Sequence, residues 1–313
     1  MKTIKNKIFT PVLVAVVFAW LFTILGVIYF EDYAEGVFIG IPVFIGFAST
    51  FLENRIEKRK FGHNISTSFL ALFIYCMGLL LFAIEGAICI LMAAPFGMVF
   101  TLVGSVLGQL VSRKTSKTNV PVGVFILFMP LFLGFQNNIG RQVKVYKATT
   151  SVEVNATKQE IWDQLIAFSE IDEPKELIFK AGIAYPKNAK IVGSGENAIR
   201  YCNFSTGSFV EPITLWDEPN QLSFSVKQQP VPMIEASPYH IQPAHLHEYF
   251  NSVKGQFKLT ELENGNTLLE GTTWYYNKIE PEFYWSIWSE IIIHKIHGRV
   301  LNHIKQEAEK HST

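Results

Sequence analysis

Cysteine is almost missing from this sequence: of three in 313 residues, Cys76 and Cys89 sit inside apolar runs and Cys202 stands alone in a polar region. No disulfide framework and no cysteine-based zinc site can be assembled from that set. Charge is scarce as well, at 17% of residues, with the two signs balanced at 27 each. No block of lysine and arginine with interleaved aromatics occurs, so the footprint of a nucleic-acid-binding surface is lacking. Also absent are a glycine-rich phosphate loop, a dinucleotide fingerprint, a nucleophile elbow and a metalloprotease histidine pair. Function is therefore not announced by any short motif.

What the chain has is apolar residues, 49% of the total, unevenly spread. Residues 1–136 carry 10 Lys/Arg and 6 Asp/Glu, whereas 137–313 carry 17 and 21, so a basic, greasy part precedes an acidic, water-compatible one. Five apolar stretches fill the first part, at 8–30, 36–52, 65–84, 88–111 and 120–135. A hydrocarbon core about 30 Å thick asks for about 20 residues per helix, so the second and fifth are short. Glu85-Gly86 divides a run too long for a single crossing and marks a tight turn. Glu85 itself reads as an interfacial turn residue rather than an ion site, since no second charge at membrane depth accompanies it in these boundaries. The first stretch exceeds the apolar length of a cleavable leader and is followed by four more, so it is expected to stay as a span. Residues 1–136 are thus expected to form an all-α transmembrane bundle, read as an anchor.

Basic residues set the expected orientation. Lys2, Lys5 and Lys7, then Arg55, Lys58, Arg59 and Lys60, then Arg113, Lys114 and Lys117 fall on alternate connections, and the other two connections hold no Lys or Arg. By the positive-inside rule a five-span protein has its N-terminus in the cytoplasm and its C-terminal domain extracytoplasmic, in a multi-pass cell-membrane arrangement. Four spans would reverse the side of the C-terminal domain.

The second part changes period. Thr149 to Val154 alternates as a strand, and Asn155-Ala156-Thr157 opens an amphipathic helix carrying Ile161, Trp162, Leu165, Ile166 and Phe168. After an irregular stretch, alternating strands follow at 198–204, 209–215, 222–226 and 253–259, and Glu263-Asn264-Gly265-Asn266 turns the chain into another at 267–276. A long helix from about Pro281 to Lys310 closes the chain, with Tyr284, Trp285, Trp288, Ile292, Ile296 and Leu301 at helical spacing.

Val152-Glu153-Val154-Asn155-Ala156 with Glu160-Ile161-Trp162, Gly193-Ser194-Gly195 leading to Arg200-Tyr201, Gly207-Ser208-Phe209-Val210-Glu211, and Trp216-Asp217-Glu218-Pro219-Asn220-Gln221-Leu222 give this part a resemblance. It resembles START-like domains, the SRPBCC superfamily of polyketide cyclases, plant pathogenesis-related allergens and lipid-transfer domains. The likeness runs over about residues 148–310, within a soluble domain placed at 145–313. It implies an α+β helix-grip fold, a curved antiparallel sheet around a long C-terminal helix, with a cavity between them. That superfamily holds enzymes, carriers and sensors, so the fold names no chemistry.

Alternation suggests what faces the cavity. Arg200 shares its strand face with Ala198, Cys202 and Phe204, and Glu211 shares its own with Phe209, Ile213 and Leu215, so both charges look inward. If Ser205-Thr206 is a two-residue loop, Phe204 faces Gly207 and Arg200 lies opposite Glu211, whereas a longer loop leaves them diagonal neighbours. The pair reads as a structural ion pair or as an anchor for a ligand head group. Glu270 is a further polar candidate, and Trp274, Trp285, Trp288 and Tyr239 are candidates for an aromatic wall. His245 is the candidate from a long proline-rich connection at 228–247 that also holds His240 and His247. His245-Leu246-His247 lacks the further ligands of a zinc site, so no metal and no cofactor is expected. His294 and His297 share a helix face and read as ordinary amphipathic-helix residues. The expected function is a membrane-anchored module that binds an apolar or amphipathic small molecule or lipid, with the bilayer as its other partner. The alternatives are a cyclase- or hydrolase-type enzyme on a hydrophobic substrate, or a ligand sensor coupled to the membrane helices.

Overall fold

A computed structural model of the chain describes residues 2–30, 35–114, 120–137, 143–239, 246 and 249–311. They form two compact units. The first comprises Met1–Gln142 with Glu235–Ala244 and Ile279–Pro281, and the second comprises Val143–Ile234, His245–Lys278 and Glu282–Thr313.

The first unit is helical. Helix α1 (Lys2–Thr23) runs on into π-helical turns at Ile24–Tyr29, and π-helical Gly36–Gly40 leads into α2 (Ile41–Ile56). Then come α3 (Phe61–Leu81), α4 (Ala87–Lys114) and α5 (Val120–Asn137). Four segments are long and apolar enough to cross a membrane, Thr10–Tyr29, Gly36–Ile56, Phe61–Leu81 and Ala87–Lys114, while Val120–Phe135 is apolar but shorter.

Small residues let α2 and α4 touch backbone to backbone. A Cβ at Gly46 would overlap the Thr101 carbonyl, one at Gly104 the Val43 carbonyl, and one at Gly108 the Phe47 carbonyl. Such close approach, with interhelical hydrogen bonds, replaces the hydrophobic drive that is lost among apolar surroundings. The hydrogen bonds are present: Thr50 Oγ1 lies 2.7 Å from Ser105 Oγ and 3.0 Å from Ser68 Oγ, and Asn54 Nδ2 donates to Gln109 Oε1 at 2.9 Å. These partners also draw α2 four residues beyond its expected end at Leu52. Glu53 thereby enters the helix at 2% exposure, with His63 Nε2 2.9 Å from its Oε1. Glu85 is accordingly not the lone acid within the bundle.

The N-terminus of α4 is closed by Glu235 and Ala236. Ala87 N–H donates to the Ala236 carbonyl at 2.9 Å, Ile88 N–H to Glu235 Oε2 at 3.3 Å, and the Cys89 thiol to Glu235 Oε1 at 2.5 Å. A carboxylate there answers both the orphan N–H groups and the positive end of the helix dipole. Gly86 is required beside it, because a Cβ would overlap the Glu235 carboxylate.

The second unit is a seven-stranded antiparallel sheet in the order β1-β7-β6-β5-β4-β3-β2, gripped by α8 (Glu282–His311). Its strands are β1 (Val145–Val154), β2 (Pro186–Val192), β3 (Ile199–Phe204), β4 (Gly207–Asp217), β5 (Gln221–Ser225), β6 (Phe250–Glu261) and β7 (Thr267–Asn277). Between β1 and β2 lie α6 (Lys158–Ile166) and α7 (Leu177–Lys180). Thr157 opens α6 through a capping box with Glu160, the Thr157 N–H donating to Glu160 Oε2 at 2.8 Å. Gly265, at φ +84°, takes the left-handed position of the β6–β7 turn. Leu301, Ile304 and Ala308 of α8 pack with Trp162 and Leu165 of α6 against Phe224, Phe257, Leu259 and Leu269 of the sheet. This is the helix-grip architecture, an α+β fold behind a helical N-terminal region.

Candidate functional site

The β3–β4 hairpin builds the polar end of the site. Its loop is Ser205-Thr206, so Phe204 pairs with Gly207, Cys202 with Phe209 and Arg200 with Glu211. The pair is deep: Arg200 is 1% exposed and Glu211 6%, and Arg200 Nη1 donates to Glu211 Oε2. The rings of Phe168, Phe224 and Phe257 each stand 5.5 Å from the guanidinium carbon, so aromatic faces supply part of what solvent would have given the cation. Arg200 Nε and Nη2 have no hydrogen-bond partner among the described residues. Burial lifts the Glu211 carboxyl above its ordinary value and the guanidinium pulls it back. A guanidinium does not give up its proton in a protein, so the positive charge of the pair is fixed.

Above this pair, between the sheet and α8, lies a cavity of about 130 Å³. Phe209, Phe224 and Phe257 form its sheet wall, Ile296, Val300 and Leu301 its helix wall, and Gln229 to Pro232 a further side. Gly255 lets the Phe224 ring cross the sheet, since a Cβ there would overlap that ring. His297 of α8 also lines the cavity. Its Nδ1 is 3.1 Å from Thr150 Oγ1 and its Nε2 2.8 Å from Thr273 Oγ1, so both ring nitrogens are engaged. Burial, and then the charge of His294, push its pKa down to about 4. Burial, and then Glu211, push the Cys202 thiol up to about 12. Neither group is poised for proton transfer near neutral pH. What the arrangement offers is an apolar space, open at a mouth, with unused N–H donors at one end.

Of the eight residues singled out from the sequence, the cavity brings together Arg200 and Glu211. Glu270 and Trp274 are elsewhere because of strand parity. Thr273 and Tyr275 face α8 through His297 and Ile293, which turns their neighbours of opposite parity outward, and Trp274 lies there between Lys147 and Lys254. Trp285 is buried in the first turns of α8 and Trp288 half-buried, but the helix meets the cavity only from Ile292 onward. Tyr239 is 52% exposed and belongs to the first unit. His245 lies outside the described residues, as do His240 and His247. No group of His, Cys, Asp and Glu that could hold a metal occurs among the described residues.

His297, which reads from the sequence as an ordinary amphipathic-helix residue, lines the cavity. The signal was its place in the series Ser289, Ile293, His297, Val300, Ile304 and Ala308, which is the helix face turned to the sheet. Phe224 and Phe257 were legible as inward strand residues, but not as neighbours of Arg200, because that needs the curvature of the sheet.

No family model matches the chain, and no curated protein matches it. Among solved structures, norcoclaurine synthase from Thalictrum flavum is similar at 12% identity and a TM-score of 0.36, over 56% of this chain and 100% of the other. The Zhui aromatase/cyclase from a Streptomyces is similar at 11% identity and a TM-score of 0.35, over 54% of this chain and 97% of the other. The protein XoxI from Bacillus cereus is similar at 14% identity and a TM-score of 0.34, over 53% and 98%.

Proposed function

We propose that the C-terminal unit is a membrane-anchored binding module that captures a small amphipathic molecule, its apolar body against the phenylalanine wall and its acceptor group on Arg200. The observation that carries this reading is the guanidinium at 1% exposure whose Nε and Nη2 have no hydrogen-bond partner among the described residues while it borders an apolar cavity with an open mouth. A buried donor left unused costs about 1–3 kcal/mol, and an acceptor on a ligand recovers that. Size narrows the class. An apolar cavity of about 150 Å³ takes a single aromatic ring, so a space of about 130 Å³ suits one ring or a short branched chain, with anything longer leaving through the mouth. Native mass spectrometry of the purified full chain, with organic extraction of the same sample, tests this. A small molecule bearing a carboxylate, carbonyl or phosphate should co-purify with wild type and be lost from the Arg200→Met/Glu211→Leu double variant. Its equal retention by a folded double variant refutes the anchoring role.

The same reading places five crossings in the membrane, with the N-terminus in the cytoplasm and the C-terminal unit on the far side. Helix α5, at 18 residues, spans about 27 Å, close to the thickness of a hydrocarbon core. A reporter active only outside the cytoplasm should work when fused after Thr313, and activity of a cytoplasm-only reporter there overturns the placement.

A further inference from the structure

The second unit has one end that water does not suit. On α8, Phe283, Ile287 and Ile291 recur every four residues and are 67%, 54% and 42% exposed. A helix that only covers a sheet keeps polar residues on its outer stripe. The next residue on this stripe is the exposed Lys295, and Glu290 flanks it, so the apolar character is confined to the first three turns.

The outward face of the sheet carries a further feature at the same end, so that end is flanked from both sides. Ile293 packs with Ala148 and Tyr275, so the turns before it lie level with the start of β1 and the end of β7. There Lys147 and Lys254 stand 5.6 and 4.3 Å from the Trp274 ring, Lys144 4.7 Å from that of Tyr146, and Lys278 5.4 Å from that of Tyr276. All four lysines are exposed. Val143, Val145 and Val253 among them are 49%, 52% and 39% exposed. Lysine, aromatic rings and scattered aliphatics together match the headgroup layer of a bilayer, where ring edges and ammonium groups meet phosphates.

Connectivity says what covers this end. The chain leaves the apolar helix α5 at Asn137 and enters β1 at Val145, a tether that even fully extended reaches only about 28 Å. Phe283 follows, two residues on, a segment that packs with the helical unit, Ile279–Pro281. We infer that this end of the C-terminal unit docks on an anionic bilayer surface, with Phe283, Ile287 and Ile291 entering the acyl boundary and Lys144, Lys147, Lys254 and Lys278 held against lipid phosphates.

The test uses the full chain in nanodiscs, with Cys76, Cys89 and Cys202 replaced by alanine and a nitroxide placed through Ile287→Cys or, as a water-facing control on the same helix, Asn302→Cys. In discs containing phosphatidylserine, the label at 287 should collide with dissolved oxygen in preference to an aqueous nickel chelate, and the label at 302 should show the reverse. Lys147→Glu with Lys254→Glu should lower the docked-to-free ratio at 287, by roughly fivefold for each lysine lost. In unlabelled wild type, amide exchange over residues 283–291 should be slower in these discs than in phosphatidylcholine discs. Equal nickel access at 287 and 302, with exchange indifferent to lipid, overturns the docking. So does a label at 287 immobile and shielded from both reagents, which marks a second copy or another protein as the cover.

Discussion

Removing one or the other half of the Arg200–Glu211 pair should leave different pH signatures, because one partner can discharge and the other cannot. Arg200→Met leaves a carboxyl at 6% exposure with no cation opposite. It escapes by taking a proton, which at pH 7 costs no more than raising its pKa from 4.5 to 7, about 3 kcal/mol, and at pH 5 less than about 1 kcal/mol. Glu211→Leu instead strands a guanidinium that keeps its charge at any working pH. Breaking a buried pair this way costs about 3–5 kcal/mol, with little change between pH 5 and 8. The double replacement leaves no buried charge and should come back to within about 1–2 kcal/mol of wild type. Denaturant unfolding of the full chain in micelles measures all three, followed by the near-ultraviolet dichroism of the edge-to-face Trp162–Trp216 pair, 5.6 Å between centroids. A penalty for Arg200→Met that is the same at pH 5 and 7, or a double variant as unstable as the worse single one, refutes the reasoning.

Acid should weaken the second unit through His297. Its folded pKa, about 4, lies below the ordinary 6.5, so its contribution is present above pH 6.5 and is lost as pH falls toward 4, to a total of about 3 kcal/mol; His297→Gln should flatten that slope in unfolding measured across the same window. Gly104→Leu sets a side chain against the Val43 carbonyl and should prevent α2 and α4 from closing, read as loss of a monodisperse peak after detergent extraction. Thr157→Ala removes the capping box of α6 and should cost about 1 kcal/mol in the same unfolding assay, with no effect on any bound molecule.

Legibility followed the reach of each physical signal. Strands β3 to β7 and helix α8 were readable because one face of each is buried and polar residues mark the other, and the two-residue loop at Ser205-Thr206 was enough to fix Arg200 opposite Glu211. Strand β2 was hidden in what read as an irregular stretch. It is short, carries Lys187 and Lys190, and pairs on one side only, so its alternation is weak. The helical bundle was legible as apolar segments, yet its interior chemistry was not, since Ser49, Thr50, Asn54 and Asn64 become core residues only once three helices meet. In the site, parity along a strand decided Arg200 and Glu211. Trp285 and Trp288 lie off the cavity lining, because helical spacing reports which face is apolar and not which turn of a 30-residue helix meets the cavity. The role of Glu235 at the start of α4 joins residues 147 positions apart, and no local pattern carries that information.

Three of the ionisable groups at the cavity hold fixed states over the range of acidity a cell spans, about pH 5 to 8. The guanidinium of Arg200 keeps its proton. The thiol, near 12, keeps its own, and the imidazole, near 4, has already lost its own. Glu211 stands apart, because burial lifts its carboxyl above the ordinary value against the pull of the guanidinium. If the cavity takes a ligand, any lever that acidity has on its loading through these four groups runs through that one carboxyl.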